Sequence, residues 1–115
     1  MVPEDVVVRG GRMLRADLER SAAKAYAALR IYAISVWMLP GRTTEEVAQA
    51  VRLPNQHIRV STVGRLNAAG YDVQDCTSDG HCRILLPDPP SEEDWARLEA
   101  AFDQPIANLT ARRRT

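Results

Sequence analysis

Apolar residues recur along this chain with two different periods, and the breaks between them mark out its elements. Val6, Val7 and Val8 form a β-branched run that stops at Gly10-Gly11, which reads as a short strand with Arg9 at its end. Leu14, Leu18, Ala22, Ala25 and Leu29 then recur every three or four positions, with Arg15, Asp17, Arg20 and Lys24 between them. That spacing predicts an amphipathic helix of about 15 residues. From Ile31 to Leu39 nearly every residue is apolar, and Ile31, Ile34 and Val36 are β-branched. A buried strand fits this run, and so does a continued helix; periodicity alone does not choose. Pro40-Gly41 ends it either way.

Thr43 with Glu46 three residues later forms a capping box and opens a helix to about Val51, which Leu53-Pro54-Asn55 breaks. A further helix is predicted over Ser61 to Ala69, with Ser61 as N-cap, Val63 and Leu66 inward and Gly70 as the stop. Gly64 inside it costs about 1 kcal/mol of helix propensity. Tyr71–Thr77 and His81–Leu86 flank Ser78-Asp79-Gly80 and predict a hairpin. Ser91 with Asp94 caps a last helix whose Trp95, Leu98 and Phe102 form an apolar stripe. The expected fold is therefore α+β, a single small domain over 1–105. It has about four helices, a hairpin and one or two further short strands, and 106–115 forms a flexible basic tail.

Composition narrows the function classes. The 115 residues are 45% apolar and 26% charged, with fifteen basic and fifteen acidic side chains and no net charge. That excludes a disordered chain. No apolar run reaches the roughly 18 residues a membrane span needs, and the start lacks a basic-then-apolar signal segment. Two Cys do not make a secreted disulfide scaffold, so a cytoplasmic location with no membrane partner is expected. Zero net charge removes a global basic field for nucleic acid. Fourteen Arg stand against the single Lys24. GC-rich coding explains that ratio, and so does bidentate recognition of phosphate or carboxylate.

Residues 43–86 resemble a winged helix-turn-helix module. Glu46, Val47 and Ala48 sit in its first helix, Leu53-Pro54-Asn55 at its turn, and Ile58 at an inward position of the second helix. Leu66 and Gly70 close the recognition helix before a hairpin wing. Arg52 stands where a Gly is usual. The resemblance implies DNA binding through Gln56, His57, Arg59, Arg65 and Asn67, residue types that read base edges. Four Arg against two Glu between Gly41 and Gly70 make this stretch basic, while Asp72, Asp75 and Asp79 make the wing acidic. The whole chain also resembles short actinobacterial proteins in Val7-Val8-Arg9-Gly10-Gly11, Ser61-Thr62-Val63-Gly64-Arg65-Leu66, and a late His before an apolar strand ending in Pro. That likeness implies a source and no mechanism.

A second chemistry is possible. Arg9 at a strand end and Ser35 inside an apolar strand resemble the first two signature strands of Arg-Ser-Glu ADP-ribosyltransferases, although no Glu lies on a later predicted strand. His81 and Arg83 share one strand face and have the makings of a general base and a phosphate stabiliser in a small ribonuclease. No cofactor or metal site is expected, since Cys76 and Cys82 lack paired CxxC spacing. A three-residue turn sets Cys76 against Cys82, a two-residue turn sets it against Arg83, and a cytosolic home favours free thiols. Three functions follow: a DNA-binding regulator acting as a homodimer, a toxin-like enzyme using Arg9, Ser35, His81 and Arg83, or a non-catalytic partner of another protein such as an antitoxin.

Overall fold

A computed structural model describes residues 1–113 of the chain; the side chains of 112 and 113 and all of 114–115 lie outside the described residues. The chain is α+β. Strand β1 (Val6–Gly10) leads through Gly11 to helix α1 (Arg15–Leu29), and β2 (Ala33–Trp37) returns beside β1. The Ile31–Leu39 run is thus a strand at its centre. Helix α2 (Thr44–Ala50) starts on Thr43, whose hydroxyl accepts from the Glu46 N–H while Glu46 accepts from the Thr43 N–H. Next come β3 (His57–Thr62), α3 (Val63–Ala68), β4 (Val73–Gln74) and β5 (His81–Leu85). Helix α4 (Glu92–Ala100) begins on the Ser91–Asp94 capping box, and β6 (Ile106–Ala107) and α5 (Leu109–Arg113) follow. All six strands form one antiparallel sheet in the order β4-β5-β2-β1-β3-β6.

Strand alternation gives the sheet two apolar faces. Val7, Ile34, Val36, Cys82 and Ile84 face α1, α3 and α4, and pack with Leu18, Ala22, Leu66, Trp95 and Leu98. Val8 and Ile58 face the other way, onto Val47 and Ala48 of α2 and onto Leu53. Both faces are covered, so few strand positions are left to solvent. Among the described residues, no helix is long and apolar enough to cross a membrane.

Three expectations change. First, the helix expected from Ser61 starts only at Val63, with Thr62 as its N-cap, because 57–62 is strand β3. Ile58 and Val60 point to the α2 side, and Arg59 and Ser61 alternate to the α4 side, where the end of a helix awaits them. The Arg59 guanidinium donates to the carbonyls of Glu99, Phe102 and Asp103, and Ser61 Oγ to that of Ala101. These carbonyls belong to the last turn of α4 and the residues just past it, where a cation also suits the helix dipole. Second, five helices form where about four were expected, and the sheet has six strands rather than a hairpin plus one or two.

Third, residues 106–111, expected in a basic tail, pair with β3 and then pack beside α2. Asn108, Thr110 and Ala111 are buried. The Asn108 amide donates to the carbonyls of Leu53 and Asn55, which ties this segment to the α2–β3 loop. The composition of the last residues, rich in Arg, hid the apolar and capping positions before them. Gly64, costly in a helix, is explained by Pro3: a Cβ there would press on the Pro3 ring and carbonyl, and the Gly64 N–H donates to that carbonyl.

Asp5 fastens the start of the chain. Its carboxylate is nearly buried and accepts the N–H groups of Gly41 (3.0 Å) and Val2 (2.8 Å). These bonds, Gly41 first, hold its pKa below the ordinary aspartate value. The folded state therefore favours the ionised form, so this contribution is complete above about pH 4 and fades as pH falls through the lowered value. Asp5→Asn should cost most stability at neutral pH, and urea unfolding should show the gap from the parent closing as pH falls below the ordinary aspartate range.

Candidate functional site

The site originates where two neighbouring strands part. β1 stays paired with β3 as far as Gly10 with Ile58, but pairs with β2 only at Val8 with Trp37. Beyond that pair the strands diverge, and β2 continues in register with β5 instead, Ser35 opposite Arg83 and Trp37 opposite His81. The gap opens a cleft of about 590 Å³, with α1 along its wall. A volume of that size suits a small-molecule or nucleotide ligand.

Arg9, Ser35, His81 and Arg83 all line this cleft. Arg9 Nη1 donates to the Ser35 carbonyl at 2.6 Å, across the gap where a β1 N–H would otherwise serve. Its Nε is buried with no partner. Burial pushes the Arg9 pKa down, and Asp17 opposes that shift from a distance. No carboxylate forms an ion pair with Arg9 among the described residues. The guanidinium remains charged at any physiological pH, so the cleft holds a desolvated cation without a counter-ion. His81 Nε2 lies 3.1 Å from Ser35 Oγ, and the Trp37 ring meets the imidazole edge-on at 5.2 Å. The indole fixes the ring plane while the hydroxyl fixes one nitrogen.

Residues not anticipated complete the wall. Asp17, Arg20, Ser21 and Lys24 of α1 line the cleft, as does Asn55. Their helical spacing places them on one stripe beside the buried Leu18–Ala22 stripe, so a polar row at i, i+3, i+4 and i+7 was their only sequence signal. Asn55 covers Gly10: a Cβ at that position would collide with Asn55 Oδ1. Glycine at position 10 thus makes room for the Asn55 side chain. Of the charged lining residues, Arg9, Arg20, Lys24 and Arg83 are cations and Asp17 is the acid. Asp17 is paired with Arg20 at 3.0 Å, and Arg83 with Asp75 at 3.3 Å. The cleft is therefore a cationic feature within a chain of no net charge. Among the described residues, no group of three or more His, Cys, Asp or Glu side chains is placed to hold a metal ion.

The five residues expected to read DNA do not share a face. Arg59 is buried against the end of α4. Arg65 is exposed on α3 and forms a 2.8 Å ion pair with Asp103. His57 lies on β3 with Arg12 at 3.4 Å, Gln56 is in the loop before it, and Asn67 is exposed on α3.

The hairpin that carries His81 and Arg83 is closed by a Cys76–Cys82 disulfide, where a cytosolic setting favoured free thiols. Register explains the pairing. Gln74 opposes Arg83, yet the Thr77 N–H donates to the His81 carbonyl, so one residue is extra on the first strand. Asp75, at φ 54°, absorbs it as a bulge. The turn is then the three-residue one, Ser78-Asp79-Gly80, with Gly80 at φ 100°. Cys76 comes to face Cys82 at a Cα separation of 4.2 Å, close to that of a non-hydrogen-bonded pair.

No family model, curated protein or solved structure matches the chain.

Two outcomes check this geometry. Arg59→Ala should destabilise the fold by at least about 2 kcal/mol in urea unfolding, because several helix-end carbonyls lose their donor in the interior. Thiol titration of the unfolded, unreduced protein should find no free thiol, and Cys76→Ser should cost about 2 kcal/mol, the loop-closure value for so short a ring.

Proposed function

We propose that the chain is a small RNA-directed enzyme of the toxin type, in which Arg9 holds a phosphodiester and His81 acts as general base. The observation that carries this reading is the convergence of Arg9, Ser35 and His81 in one cleft whose charged lining is mainly cationic. Arg9 supplies the remaining donors of a half-buried guanidinium to the phosphate oxygens, where charge grows during the reaction. His81, held through Nε2 by the Ser35 hydroxyl, takes the proton of the ribose 2′-hydroxyl at Nδ1, its other ring nitrogen, as that oxygen bonds to phosphorus. The bond from phosphorus to the 5′-oxygen breaks, and the departing oxygen takes a proton from water. The products are a 2′,3′-cyclic phosphate and a free 5′-hydroxyl. Ser35 is a positioning residue that holds the imidazole, with Trp37 behind it. Arg83 adds positive charge beside the reacting phosphate.

Two other readings have less support. The ADP-ribosyltransferase likeness lacks its acid: no Glu lines the cleft. The regulator reading rested on Arg59 and its neighbours, and Arg59 is committed to the end of α4.

The test is cleavage of single-stranded RNA by the purified protein, with the new ends identified. The expected product is a 2′,3′-cyclic phosphate. His81→Ala should lower the rate by at least about a hundredfold. Ser35→Ala should lower it by roughly ten- to a hundredfold while leaving the cyclic product unchanged. Absence of cleavage by the parent protein, or cleavage undiminished in His81→Ala, overturns the assignment.

A further inference from the structure

The cleft is longer than one phosphodiester needs. Its α1 wall runs from Asp17 to Leu29, about 18 Å at roughly 1.5 Å per residue. The lining positions lie on a single stripe of the helix, so the wall is a straight edge. Arg20 and Lys24 stand one turn apart along it, and Arg20 is paired with Asp17. Lys24 forms no ion pair among the described residues. Past Lys24 the wall becomes small and apolar, with Ala25, Ala28 and Leu29, and Leu29 is about half exposed. The acid Asp17 sits at the opposite end, where it is paired with Arg20.

From this placement we infer that the α1 edge is a second phosphate subsite. The substrate is an extended single strand of RNA, held at Arg9 by one phosphate and at Lys24 by the next. A base or sugar beyond that phosphate lies on Ala25, Ala28 and Leu29. The direction follows from the lining: the backbone runs from Arg9 past Lys24 towards Leu29, where small apolar side chains replace the charged ones. The small side chains leave room for a nucleoside that larger ones would fill. This inference rests on the phosphodiester reading of the cleft, and it concerns binding rather than the bond broken.

The test measures binding of fluorescent 2′-O-methyl oligouridylates, which cannot form the cyclic product, carrying one, two, three or six phosphates. Affinity should rise by about tenfold or more between one and three phosphates and then level off. Lys24→Gln should remove most of that gain, and should flatten the dependence of log K on log salt by roughly 0.7. Ala28→Trp, which fills the apolar end, should also reduce the gain, with circular dichroism confirming the fold. Equal affinity for all lengths, or a Lys24→Gln loss that is the same at every length, overturns the inference. So does competition by tripolyphosphate as strong as by the three-phosphate oligonucleotide, since only charge would then be read. Length-dependent binding without any RNA cleavage refutes the reaction proposed above and leaves this subsite standing.

Discussion

The Arg9 guanidinium, set between two strands that have parted, is the contact on which the rest of the site depends. A sheet normally closes such a seam with backbone hydrogen bonds, because an unpaired interior carbonyl is costly. Here the Ser35 carbonyl is satisfied by a side chain instead. The strands can then diverge without leaving that group stranded, and the divergence is the cleft. One residue therefore keeps the opening tolerable and puts a cation inside it. The two roles are compatible because a guanidinium has five donors and the carbonyl needs one.

A second cation solves a different problem in the same sheet. Arg59 and Ser61 point from β3 at the end of α4 and donate to its carbonyls and those just past it. Trp95 and Leu98 of α4 complete the core beneath the sheet, so the helix end and the core are secured from one strand. Arg65 adds a surface pair to Asp103 in the same region, a contact worth little by itself. Arg9 and Arg59 look alike in composition. Their partners separate them, since Arg59 is bonded to three carbonyls and Arg9 to one.

Local signals in the sequence were reliable. Both capping boxes, at Thr43–Glu46 and Ser91–Asp94, open helices as their spacing implied, because a cap is decided within four residues. The strand 57–62 was not legible, since alternation of Ile58 and Val60 with Arg59 and Ser61 also fits a polar helix face. What makes it a strand lies about 40 residues away in the carbonyls of α4. The same distance hid the end of the chain, where Asn108 finds its acceptors at Leu53 and Asn55. Of the cleft, Arg9, Ser35, His81 and Arg83 stood out as polar residues in or beside apolar strands. Lys24 and Asn55 did not, because an exposed helix lysine and a loop asparagine look ordinary until the strands that flank them separate.

The strand order has a consequence for how the chain acquires its form during synthesis. β1, the first strand made, lies inside the sheet, with β2 and β3 on either side, β5 next to β2, and β4 and β6 at the two edges. Most new strands therefore meet an edge that already exists, and the sheet grows outward in nearly the order in which the ribosome delivers it. Only β4 must wait for a later partner, β5. The seam between β1 and β2 is the earliest that can form, so the gap held by Arg9 belongs to the nucleus of the sheet rather than to its margin.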